Sequence, residues 1–151
     1  MPGDKHDKAA DAVAAWTKET LDRAVDEFTR LEIFASELIE ARPVWRLPYR
    51  ILILQLRDPG HPDAVRWAIC GAVPFDHIDA AVAATPLDAA RYFSLKWQLD
   101  AARYRDPGVM ESLGLEHHQG VEQLAESLTE HARALFELTR DEHLWDDATS
   151  Q

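Results

Sequence analysis

The chain has a single cysteine, Cys70, inside the stretch RWAICGAVPFDH at 66–77, and Asp76 and His77 follow it closely. These residue types are the parts of a thiol nucleophile. A free thiol titrates near pH ~8.5 and attacks only as the thiolate. A cysteine hydrolase or transferase therefore needs a base such as His77, with Asp76 or Asp79 orienting it. A second reading uses the same residues. Cys70 closes the apolar run AVRWAIC at 64–70, where a cysteine behaves as a small hydrophobe. Only Arg66 and His77 stand near enough to lower its pKa, and no helix begins directly after it to aim a dipole at the sulfur. Gly71 reads as a strand end with dihedrals other residues avoid, and Pro74 as the lock on the following turn. Packing is the favoured role for Cys70, and the enzyme built from Cys70, His77 and Asp76 is the alternative.

Other chemistry is thinly represented. His117 and His118 are adjacent, His118 and Glu122 have helical i, i+4 spacing, and Glu130 and His131 lie further on. No zincin pattern and no histidine pair at i, i+4 occurs, and Gly120 interrupts the first candidates, so a solvated helix end is expected and no metal. Among only six glycines there is no GxxxxGK[ST], GxGxxG or GxSxG, so neither a phosphate cradle nor a serine-hydrolase elbow nor a cofactor is expected.

The elements that would position these residues follow from the hydrophobic pattern. From Asp7 to about Arg30, the residues Val13, Thr17, Leu21, Ala24, Phe28 and Leu31 recur at helical steps. Ala35 and Leu38 extend the stripe, but one helix to Arg42 is too long for a small domain, so a break is expected near 31–36. Residues 49–56 (YRILILQL) and 64–70 read as a β-hairpin, with RDPGHPD as a loop of about seven residues between them. Alternation puts Val65, Trp67 and Ile69 on one face of the second strand and Ala64, Arg66, Ala68 and Cys70 on the other. Residues 44–47 are a candidate third short strand. The stretch VPFDHIDAAVAA reads as a connection, and TPLD at 85–88 as a helix start with Pro86 at the first helical position. That helix runs to RDPG. It carries two apolar faces, one with Ala90, Ser94, Trp97 and Ala101, the other with Tyr92, Leu95 and Leu99, and so is expected between neighbours on both sides. A last helix spans about Gln119–Arg140, with Val121, Leu124, Leu128, Ala132 and Leu135 inward, and Leu144 and Trp145 dock the tail. The expected fold is α+β and helix-dominated: a long N-terminal helix, a hairpin and two C-terminal helices, in one domain over 1–151 with 1–7 and 147–151 loose.

The 27 acidic residues against 16 basic ones give a net charge of −11. That field repels phosphate backbones and anionic membrane and attracts a basic protein. No targeting segment and no membrane span is expected, and one cysteine allows no internal disulfide, which points to the cytoplasm. The acidic tail DEHLWDD offers Asp141, Glu142, Trp145, Asp146 and Asp147 as a partner-binding rim, or simply as a solvated end pinned by one aromatic.

PVWRLPY at 43–49, RWAICGAVPFDHI at 66–78, TPLDAARYF at 85–93 and the terminal DEHLW together resemble a family of small bacterial proteins catalogued as a domain of unknown function. The resemblance rests chiefly on a Trp-x-Ile-Cys-Gly-x-x-Pro-x-Asp-(His/Tyr)-Ile core. It implies an α+β fold and a bacterial cytoplasm, and no activity. The leading functional expectation is a non-catalytic protein that binds and masks a basic partner, as an immunity protein or antitoxin does. Beside it stand the cysteine enzyme and a homo-oligomeric scaffold.

Overall fold

The computed structural model describes residues 2–35, 38–114 and 119–149, and the chain divides into two compact units, one up to Pro86 and one from Leu87 onward.

In the first unit, α1 spans Pro2–Arg30, starting ahead of the expected Asp7. Thr17, Thr20, Ala24 and Phe28 form its buried stripe at steps of three and four residues, with charged side chains between them. The helix stops where the break was expected. Glu32 adopts a left-handed φ of 53°, which no continuing helix tolerates, so the stripe that runs on through Leu38 is not helical.

Four antiparallel strands follow in sequence order: β1 (Glu40–Leu47), β2 (Ile51–Asp58), β3 (His61–Gly71) and β4 (Asp76–Asp79). The third strand near 44–47 exists and is longer than expected, while β4 replaces part of an expected connection. In β4 only Ile78 is fully buried, too short an alternation to stand out, and the strand is held by pairing with β3, with Arg66 opposite Asp79. In β1 the register shifts between Pro43 and Trp45.

The hairpin loop is much shorter than the expected seven residues. Asp58 pairs with His61, leaving Pro59 and Gly60 as the turn, and residues 62–64 lie in a bulge of β3. The buried Asp58 closes this turn: one carboxylate oxygen accepts the Gly60 N–H at 2.9 Å and the other lies 3.3 Å from His61 Nδ1. Pro62 is tolerated because a bulge residue has no ladder bond to donate.

Leu52, Leu54 and Leu56 of β2, with Ala68 and Cys70 of β3, pack against Ala24 and Phe28 of α1. Ile53, Trp67 and Ile69 on the opposite face are buried too, which is why β2 reads as a continuous apolar run rather than an alternating one. The Trp67 indole donates to the Ala83 carbonyl at 3.0 Å.

In the second unit, α2 (Pro86–Arg105) starts on its proline as expected, with Asp88 in the first turn and Arg103 and Arg105 in the last. Asp106 then caps α3 (Pro107–Ser112), its carboxylate accepting the Gly108 and Val109 N–H groups. One face of α2 is buried, with the Ser94 hydroxyl donating to the Ala132 carbonyl at 2.9 Å and Trp97 edge-on to His131. The second face is not sandwiched: Leu95 and Leu99 are 54% and 56% exposed.

The last helix, α4 (Gln119–Thr139), buries Ala125, Leu128, Ala132 and Leu135. Leu124 points outward because Ala125, at steps of three and four from Leu128 and Ala132, holds the inward position. A 3-10 segment, Glu142–Thr149, ends the described chain. None of the described helices is long and apolar enough to cross a membrane.

Candidate functional site

The arrangement of Cys70, His77 and Asp76 follows from β-ladder register. Ala68 pairs with His77 and Ile69 with Asp76, so Cys70 lies on the same face as His77 but diagonally displaced. The thiol is 5% exposed and donates to the Leu52 carbonyl at 3.5 Å, its only hydrogen-bond partner among the described residues. Burial pushes its pKa up to about 12. At neutral pH the thiolate fraction is then about 10⁻⁵.

His77 is committed elsewhere. Arg66 Nε donates to its Nδ1 at 2.8 Å, which places any ring proton on Nε2, and Phe28 meets the ring edge-on at 5.2 Å. Asp76 accepts the His77 backbone N–H at 2.8 Å. Burial thus favours the protonated thiol, and the hydrogen bond it makes goes to the Leu52 carbonyl.

Native Cys70 is therefore expected to resist iodoacetamide at neutral pH and to alkylate at an ordinary thiol rate once the chain unfolds. The raised pKa also has a stability consequence. Above pH 9 the unfolded thiol ionises while the folded one holds its proton, so the unfolded state binds fewer protons and stability falls as pH rises. Between pH 9 and about 12 this term removes about 1.4 kcal/mol per pH unit. A Cys70→Ala chain should lose that slope, read as the difference between two urea-denaturation series against pH.

Cys70 does border a concavity. A groove of about 440 Å³ runs between the middle of α1 and the strand ends around Tyr49 and Gly71–Val73. Trp16, Tyr49 and Phe75 supply aromatic walls, Thr20, Ala24 and Cys70 supply small side chains, and Glu19, Arg23 and Glu27 are the charged residues. The Trp16 and Tyr49 rings stand 5.8 Å apart at 52°. Glu19 and Arg23 form an exposed ion pair at 2.6 Å, and Glu27 lies 3.6 Å from Arg30.

The groove exists because of two turns. In Leu47–Pro48–Tyr49–Arg50 the Arg50 N–H donates to the Leu47 carbonyl at 3.0 Å, and Tyr49 has a φ of 66°. Proline followed by a positive-φ residue is a type II turn. Next to it, Gly71 has a φ of 111° and lies so close to Arg50 that an added Cβ would stand 2.7 Å from its carbonyl oxygen. This close approach is the physical reason for the glycine after the cysteine.

The family described as Domain of unknown function (DUF4826) matches residues 10–145. The chain belongs to that family. No curated protein and no solved structure matches it. In this DUF4826 chain the string from Trp67 to Ile78 is the end of β3, the Gly71 turn and the start of β4.

The DUF4826 tail is organised differently from an exposed aromatic anchor ringed by acids. Trp145 is 3% exposed and its indole donates to the Leu138 carbonyl at 2.9 Å, so it pins the tail. Asp141, Glu142 and Asp146 remain exposed, with Asp146 at 3.2 Å from His143 and Glu142 at 4.0 Å from Arg91. The side chain of Asp147, like His117 and His118, lies outside the described residues. No cluster of three metal-ligating side chains occurs among the described residues.

Sequence reasoning missed the groove because Trp16, Tyr49 and Phe75 are far apart in the chain. One signal was readable: Pro48–Tyr49 occupies a short link between strands where glycine or asparagine is the usual second residue.

Proposed function

We propose that this chain is a non-catalytic, acidic interaction protein that binds and masks a basic protein partner. The observation that carries the reading is the state of Cys70. Its sulfur is buried, bonded to the Leu52 carbonyl and protonated up to about pH 12, and the Nδ1 lone pair that a base would use is occupied by Arg66. Once the thiol is set aside as packing, the strongest remaining chemical property is the charge of −11. Such a field speeds encounter with a basic protein by about 10–10³-fold, which suits an inhibitor that must act fast. An immunity or antitoxin role in a bacterial cytoplasm is the specific form of this proposal. An unpaired, protonated cysteine fits a reducing compartment.

The test is capture of partners on immobilised chain at about 0.1 M and at about 1 M salt, where the screening length drops from about 10 Å to about 3 Å. A basic protein retained at the lower concentration and released at the higher is the expected result. Retention that ignores salt, or no retained basic protein, counts against the proposal.

A further inference from the structure

The geometry points to the groove beside α1 as a binding site for a basic side chain, an arginine of the partner above all; this rests on the masking function just proposed. The first observation is a costly residue choice. The second central position of a type II turn favours glycine, and a bulky side chain with a φ of 66° is an outlier there. Tyr49 is also 55% exposed, so core packing accounts for little of its presence. What the position achieves is to set a phenol ring at the groove mouth, tilted against Trp16. Strained residues of this kind gather at ligand-binding positions.

The second observation is the chemistry of the walls. Ring faces carry negative quadrupole potential and attract guanidinium and ammonium groups. The charged lining holds two carboxylates, Glu19 and Glu27, and the guanidinium of Arg23; each carboxylate has an exposed partner, Glu19 in Arg23 and Glu27 in Arg30 at 3.6 Å. A planar guanidinium can stack on Tyr49 or Trp16 while its N–H fork reaches a carboxylate, which a compact ammonium does less well. Arg23 already occupies Glu19 in an exposed pair, and exposed pairs are weak enough to exchange. The incoming arginine displaces Arg23 from Glu19.

The test titrates the intact protein with a blocked Gly-Arg-Gly tripeptide and a blocked Gly-Glu-Gly control, following the Trp16 indole N–H by heteronuclear NMR. The expected result is a saturable shift with the arginine peptide and none with the glutamate peptide. Tyr49→Gly should fold at least as stably, because glycine suits the turn, yet bind roughly 5–30-fold more weakly. Arg23→Gln should bind more tightly by freeing Glu19. Wild-type affinity in Tyr49→Gly, weaker binding in Arg23→Gln, or no shift at all overturns the site. The two proposals fail separately. If Tyr49→Gly still captures a basic protein with full salt sensitivity, the groove assignment falls and the masking function survives. If the tripeptide binds but no basic protein is retained, the site stands and the masking function falls.

Discussion

A Gly71→Ala chain is expected to lose about 3 kcal/mol or more of stability, read as a lower urea midpoint at unchanged slope. Two effects add. At a φ of 111° an L side chain is strained before it touches anything, and the new Cβ would meet the Arg50 carbonyl oxygen at 2.7 Å. That oxygen cannot step aside cheaply. It accepts the Ala72 N–H at 2.8 Å, and the next residue, Ile51, pairs with Gly71 itself in the β2–β3 ladder. Gly114 supplies the control. Its φ is also positive, at 72°, but among the described residues nothing lies within 4 Å of a Cβ added there. Gly114→Ala should therefore cost only the conformational part, about 1–2 kcal/mol. Equal losses at the two positions would show that backbone crowding at Gly71 is not the cause.

Phe28→Ala is expected to destabilise by about 4–5 kcal/mol, the upper part of the range for deleting a buried phenylalanine. The side chain is wholly buried and joins α1 to Leu52, Leu54 and Leu56. It also makes edge-on ring contacts to Phe34 at 4.8 Å and to His77 at 5.2 Å, each a gain beyond buried area. Because α1 covers Cys70, the same variant should alkylate at Cys70 under native conditions much faster than the wild type. A loss below about 2 kcal/mol, with Cys70 still protected, would mean that α1 is held on the sheet mainly by other residues.

The parts of this molecule that were legible in its sequence are those written in local patterns. The stripe through Thr17, Ala24 and Phe28, the alternation of Trp67 and Ile69 with Ala68 and Cys70, and the proline start at Pro86 all reappear in the structure. The failures have separate causes. The residues RDPGHPD read as loop because bulge geometry, which lets Pro62 stay in a strand, depends on cross-strand pairing. Strand β4 has too few residues to show a period. The outward leucines of α2 read as core because a helix wheel reports hydrophobicity and cannot report which face a neighbour covers. The burial of Cys70 is readable from its apolar surroundings. The groove is not, since it is made by tertiary closure of Trp16 on Tyr49.

The outer strand β1 carries Pro43, which has no amide hydrogen, and its pairing with β2 slips between Pro43 and Trp45. A proline and a slipped register make this edge strand irregular, and irregular edges are poor templates for a foreign chain. Strand-on-strand accretion along this edge of the sheet should accordingly be disfavoured, a safeguard written into one imino acid and one misaligned step.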